Sequence, residues 1–338
     1  MANLHVVRFP SPAEFVEAAK GSDDGFMNLA FGVLMDSMNE LQIRVRSITE
    51  ESRTLLAVNN GDTLVLALLK VAGDVDWIIG CPRDRELVSA DAETAISLLV
   101  SFLPSVIDPK SFDTIWGPEP LVNAFIDTWV SAMAARGLRI EALPTRFRVK
   151  RTYATLATLP PSPPHLPSKY IIELANPDDV EPLAHLLVDF SRAAPIVTSI
   201  EAARAKMDMH VRLGETWVCR EGSEIAGYVG VGRTTFRTVA IRNVYVAPGH
   251  RRKGIAEAMT VALMRYYLGA RPLGLEGAPD GRPVKGVKEE ICIAVVEDFV
   301  ERLYEKCGFL LGEHDQDPVS EQKGWFASII RGVRVLEE

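Results

Sequence analysis

An apolar run over residues 239–246 ends at Pro248. Three basic residues, Arg251, Arg252 and Lys253, follow, and then Gly254 stands ahead of an amphipathic stretch. Read in order, this is a strand, a tight basic turn and a helix reaching about Leu268. A helix start leaves its first N–H groups without intrahelical partners, and the macrodipole favours negative charge there. The segment therefore predicts an anion cradle built from the N–H groups of Arg252, Lys253, Gly254, Ile255, Ala256 and Glu257, suited to a phosphate or pyrophosphate. Gly254 lets the backbone approach a ligand, and Ala256 is small to the same end. Three basic residues alone read better as a solvated loop or a short localisation-type cluster. The strand before them and the helix after them favour the cradle.

The rest of the chain limits what such a cradle can serve. Of 338 residues, 47% are hydrophobic and 24% charged, an ordinary globular composition with room for about two domains. The formal net charge of -8 argues against tight nonspecific nucleic-acid binding, which rests on neutralising phosphates. Cys81, Cys219, Cys292 and Cys307 are scattered, without metal-ligand spacing, and fit a reducing compartment; no metal is expected. No basic-then-apolar leader opens the sequence, and no apolar run approaches the ~20 residues of a membrane span. The expectation is a cytoplasmic protein without membrane or nucleic-acid partners, as a monomer or homodimer.

The clearest break is residues 159–168, where prolines 160, 161, 163, 164 and 167 favour a stiff, extended connector. It separates residues 1–158 from residues 169–338. In the second half the pattern predicts strands at 170–174, 217–219, 225–231, 239–246, 291–296 and 325–335. Helices are expected at 178–192, 200–212 and 298–306, the last stopped by Gly308. Residues 269–286 are too long and glycine-rich for a minimal connection and read as a functional or disordered loop. The first half repeats this order: helices at 12–20, 26–40, 92–102 and 122–136, and strands at 54–58, 63–71, 77–80, 114–117 and 148–156. The two halves read as divergent copies of one α/β unit, with two unrelated α/β domains as the alternative. Trp77, Trp116 and Trp129 read as core.

Two motifs carry a resemblance. Val244-x-Val246-x-Pro248-x-x-Arg251-x-x-Gly254-x-Ala256 resembles the acyl-CoA-binding motif of the GNAT superfamily of N-acyltransferases. Leu303-Tyr304-Glu305-Lys306-Cys307-Gly308-Phe309 resembles the ending of that family's fourth helix, one strand downstream as in the family. The resemblance covers about residues 169–335; the first half shares only element order. It implies an α/β (α+β) fold of two GNAT-like domains, each a mixed, bent, mostly antiparallel sheet flanked by helices. It also implies a splay between the fourth and fifth strands of the C-terminal domain.

The implied ligand is acetyl-CoA or another acyl-CoA, bound as cosubstrate. Its pyrophosphate would meet the cradle, and its pantetheine arm would pair with the backbone of Val244 and Val246. The implied activity is N-acetyl transfer to a primary amine by direct attack through a tetrahedral intermediate, with Tyr304 as the general acid. The acceptor would be a small-molecule amine or a lysine, and the acidic chain favours a cationic one. The family's usual asparagine seven residues before this tyrosine is Glu297 here, and Ala240 stands where some members carry a glutamate base. The base is therefore open among Glu297, Glu289, Glu290, His314 and a water relay. Without a base, an acyl-CoA-binding sensor is the alternative. In the first half, residues 81–90 lack the R-x-x-G-x-G/A turn and acids flank the matching helix, so that half is expected to hold no cofactor.

Overall fold

The computed structural model describes residues 3–44, 53–71, 76–192, 197–273, 277 and 281–336. Its first half runs β1 (Leu4–Arg8), α1 (Pro12–Ala19), α2 (Asn28–Arg44), β2 (Thr54–Asn60), β3 (Thr63–Lys70), β4 (Trp77–Gly80), α3 (Ala90–Phe102), β5 (Thr114–Pro118), α4 (Glu119–Ala135), β6 (Ile140–Ala142) and β7 (Phe147–Thr155). Its second half runs β8 (Tyr170–Leu174), α5 (Val180–Ser191), α6 (Ile200–Arg212), β9 (Thr216–Glu221), β10 (Glu224–Gly232), β11 (Thr238–Val246), α7 (Ile255–Tyr267), β12 (Glu290–Val295), α8 (Asp298–Cys307) and β13 (Trp325–Val335). The expected strands and helices are present to within a few residues. β1 and β6 are additions that the apolar pattern did not disclose, being short and only partly buried. Part of the glycine-rich 269–286 stretch lies outside the described residues.

The strands form one continuous sheet in the order β1-β2-β3-β4-β5-β13-β7-β12-β11-β10-β9-β8, with β6 on β13. Among the described residues only β4–β5 and β11–β12 are parallel. The halves exchange their last strands. β7 pairs along its length with β12, so that Glu290 faces Thr155 and Val295 faces Lys150. β13 lies between β7 and β5, with Ser328 opposite both Val149 and Pro118. Residues 148–156 and 325–335 are strands as expected, but each completes the other half's sheet. Periodicity marks a strand and its buried face; it says nothing of the neighbour.

Alternation along the strands feeds two layers of core. On one face, α7 and α8 pack over Val239, Ile241, Ile291 and Ile293, while α3 and α4 cover Ile115 and Ile329. On the other face, α5 and α6 cover Val218 and Tyr228, and α1 and α2 cover Leu55 and Ile78. Phe26, Tyr153, Ala240, Cys292 and Phe326 join these layers where the halves meet. Trp77 and Trp129 are core, as expected. Trp116 is partly buried on the α2 side, between the guanidiniums of Arg151 and Arg233 at 4.7 and 5.3 Å.

The first half grips the second through one side of α2 and the loop before it. Asn28 Nδ2 donates to Arg233 O (2.9 Å) and Thr238 Oγ1 (2.6 Å). Two turns on, the Asp36 carboxylate accepts the Arg233 N–H at 3.0 and 3.2 Å. Asp23 accepts the Arg237 N–H (2.9 Å), and Glu290 accepts the Gly25 N–H (2.6 Å) beside an ion pair with Arg83 (2.8 Å). The proline-rich connector is also held: Arg265 of α7 donates to Pro160 O (3.0 Å), and Leu159 and Leu166 pack on the α7 core. Among the described residues, no helix is long and apolar enough to cross a membrane.

Candidate active site

β11 and β12 pair only from Thr238 opposite Glu290 to Ile241 opposite Ile293. Beyond that point they part, while β11 stays paired with β10 through Val246. The β10–β11 register slips by one at Arg242, because Gly230 faces Asn243 and Val231 faces Ile241. This bulge bends β11 away just where the gap opens. The antiparallel ladder alternates its hydrogen bonds. Ala247 N–H donates to Ala226 O (2.9 Å), so the polar groups of Val244 and Val246 turn from β10 toward the gap. Their side chains pack on the α7–α8 core.

A short 3-10 turn, Pro248–His250, leads from β11 to the basic residues. Arg252 (φ 61°) and Gly254 (φ 80°) are both left-handed, and Gly254 caps α7 without any side-chain hydrogen bond. The first helical bond is Ala258 N–H to Gly254 O (2.9 Å). The N–H groups of residues 252–257 thus donate to no described protein acceptor. Arg251, Arg252, Lys253 and Gly254 are exposed. Arg251 Nε donates to Val246 O (3.1 Å), and Lys253 Nζ donates to Gly249 O (2.9 Å). The corresponding helix of the first half is built differently. Ser89 caps α3, its hydroxyl accepting from Ala92 N (3.2 Å), with Asp91 and Glu93 in the first turn.

Tyr304, on α8, packs against the α7 core and meets Phe309 edge-on at 5.9 Å. Gly308 ends the helix, and Phe309 N–H donates back to Tyr304 O (3.0 Å). Burial, with a smaller push from Cys307, raises the phenol to about 12. It therefore keeps its proton at neutral pH.

The four acid–base candidates are dispersed. Glu290 is buried at the closed end of the β11–β12 pair and tied to Arg83. Desolvation, outweighing Arg83, raises its pKa. Glu289 is engaged by Arg237 at 2.6 Å, and Glu297 and His314 are exposed. A different pair, one member of it lining a cavity, lies on the opposite face of the sheet. A cavity of about 410 Å³ lies beneath α6, walled by Asp36, Lys206, His210, Tyr228, Arg242 and Asn243. His210 Nδ1 lies 2.8 Å from the buried Glu215 carboxylate, which Lys285 also grips. Burial pushes Glu215 up, but His210 and Lys285 together hold it below the ordinary carboxylate value. The sequence offered one signal for this pair, a histidine five residues before a glutamate across a helix end, too common to single out.

Residues 212–310 match the family model of the acetyltransferase (GNAT) domain. No curated protein matches the chain. Two solved structures share its fold over almost its whole length. One is a tandem GNAT protein from the clavulanic acid biosynthesis pathway, solved without AcCoA (13% identity, 99% of each chain covered, TM-score 0.50). The other is a Drosophila protein (13% identity, 98% of this chain and 99% of that chain covered, TM-score 0.53). At that identity the likeness speaks for the fold alone. The strand exchange, the splay and the uncapped α7 are the framework on which the family match falls: residues 212–310 match the GNAT acetyltransferase domain, within a tandem GNAT fold.

Proposed function

We propose that the protein is an N-acetyltransferase that moves an acetyl group from acetyl-CoA to a primary amine. The observation that carries this reading is the parting of β11 from β12 after Ile241, immediately before an uncapped, basic helix start. The residues present suit the cosubstrate. The free N–H groups of residues 252–257, with Arg251, Arg252 and Lys253, would hold the pyrophosphate. The backbone of Val244 and Val246 would satisfy the pantetheine amides. In this reading the α7 cradle is the one cofactor site per chain, because Ser89 and two acids occupy the start of α3. Residues 169–338 form the acyltransferase domain and residues 1–158 a cofactor-free domain, joined by residues 159–168. β7 and β13 are the strands they exchange.

The amine attacks the thioester carbonyl, whose oxygen is polarised by a backbone N–H near Val246. Collapse of the tetrahedral intermediate breaks the C–S bond, and the Tyr304 phenol protonates the departing sulfur. Thiol release from acetyl-CoA across a panel of amines tests this. Tyr304→Phe should lower kcat by about 100-fold, the lower end for a positioned acid, and leave CoA affinity within about twofold. CoA binding without thiol release from any amine would instead identify a CoA-responsive binding protein.

A further inference from the structure

The cavity under α6 has a chemistry of its own. It sits on the face opposite α7, and its floor includes the bulge residues Arg242 and Asn243, at the point where β11 leaves β12. Its volume falls at the small end of small-molecule sites. Two of its walls differ in kind.

One wall is strongly cationic. Arg242 approaches a single carboxylate, Asp36, at 3.7 Å, and that carboxylate already accepts the Arg233 N–H. Behind it, Arg151 and Arg233 are buried around Trp116. Nε and Nη2 of Arg151 and Nε of Arg233 find no hydrogen-bond partner among the described residues. Burial and the neighbouring charge of Arg242 push Arg151 down to about 9 and Arg233 lower than its ordinary value as well. Of these three arginines Arg242 is the one that lines the cavity, where its guanidinium faces Asp36. A guanidinium is the side chain best shaped for a planar carboxylate.

The other wall is His210. Glu215 holds its Nδ1, which leaves Nε2 for a ligand. The charged and titratable groups around it are Glu215 and, behind that, Lys285; Lys206 on α6; Asp36 from α2; Tyr228 from β10; and Arg242 from β11.

Building on the acyltransfer reading, we propose that this cavity is the acceptor site and that it takes a small amine that also bears a carboxylate. Arg242 holds the carboxylate, and His210, positioned by Glu215, accepts a proton from the ammonium. His210 Nε2 takes one proton from the ammonium and passes it to solvent. The freed nitrogen pair forms the C–N bond while the carbonyl π pair moves to oxygen. On collapse the C–S bond breaks, and the sulfur takes the Tyr304 proton. The phenolate then recovers a proton from the nascent amide nitrogen. The products are the N-acetyl amino acid, CoA thiol and one net proton.

Binding is measured first, by calorimetry with CoA present, on matched pairs such as an α-amino acid and its decarboxylated amine. The wild type should bind carboxylate-bearing members at least tenfold more tightly. Arg242→Gln should reduce that preference at least tenfold, with far-ultraviolet circular dichroism confirming the fold. In turnover, His210→Gln should lower kcat about 100-fold, the range of a positioned base, with partial rescue by added imidazole. In Glu215→Gln kcat should fall about tenfold with KM unchanged, since the imidazole loses the carboxylate that orients it. Equal binding of both members of every pair overturns the acceptor class, as does an unchanged preference in Arg242→Gln. Turnover indifferent to His210→Gln overturns the base. Arg242-dependent binding without acetylation of any amine would sustain a site for carboxylate-bearing amines and refute both acyl transfer and the acceptor role.

Discussion

Gly32 of α2 lies so close to Arg233 of the β10–β11 turn that a Cβ on the glycine would stand 2.3 Å from the arginine Cβ. The missing side chain is what lets Asn28 and Asp36, one turn to either side, reach the same turn. Gly32→Ala gains about 1 kcal/mol of helix propensity but must force the interface apart, at about 1–3 kcal/mol. A net loss of about 1 kcal/mol is expected, read as a lower thermal midpoint. Because Arg233 and Arg242 both meet Asp36, the variant should also weaken ligand binding in the cavity under α6.

Gly254→Ala separates the cradle from the fold. The added Cβ would meet nothing nearer than His165 O at 3.9 Å, so the cost is the left-handed backbone alone, about 1–2 kcal/mol. Relaxing that strain would turn the N–H groups of the first turn out of line. CoA affinity should fall about tenfold, roughly 1.4 kcal/mol, by calorimetry. Gly249→Ala, with nothing within 4 Å of its Cβ, should leave stability unchanged and serves as the control.

Glu215 sets a pH-dependent term. Burial raises it, but the His210 hydrogen bond and Lys285 prevail, so its folded-state pKa lies below the unfolded value. Such a group stabilises the fold above about 4.5, the unfolded value, and that contribution is lost as pH falls through the depressed folded value. Glu215→Gln should therefore cost about 1–3 kcal/mol at pH 7 in denaturant titrations. The difference from wild type should shrink as the pH falls below about 4.

The strand exchange makes neither half complete alone. A polypeptide of residues 159–338 lacks β7, the neighbour of both β12 and β13, and exposes two long unpaired edges. It should be aggregated or unfolded by circular dichroism and size exclusion. Co-expression with residues 1–158 should restore a soluble 1:1 complex that binds CoA. A soluble, CoA-binding 159–338 fragment would refute this.

The sequence made legible whatever depends on near neighbours. The apolar run, Pro248, the bases and Gly254 form one contiguous segment whose geometry follows from helix-end chemistry. Tyr304 and Gly308 likewise sit within one short helix and its cap. What it hid depends on segments far apart in the chain. Asp36 is one of many acids until α2 packs on the β10–β11 turn. No chain neighbour marks Arg151 or Arg233 for burial; Trp116 and the sheet enclose them. His210 and Glu215 are five residues apart, but only the cavity beside them gives the pair a task. The exchange of β7 and β13 was invisible for the same reason: alternation encodes a buried face, not the identity of the adjoining strand.

That exchange also has a consequence for how the chain is made. β5 leaves the ribosome with one edge open, and the strand that closes it, β13, is synthesised about two hundred residues later. The first half therefore cannot finish as an independent unit during elongation, as domains in series commonly do. Its sheet must wait, protected by α3 and α4 on one face and α1 and α2 on the other, until β13 has been made. Pairing over such separation is slow. Synonymous codon changes or chaperone depletion that alter the length of that wait should change the yield of folded protein more than they would for two domains joined by a simple tether.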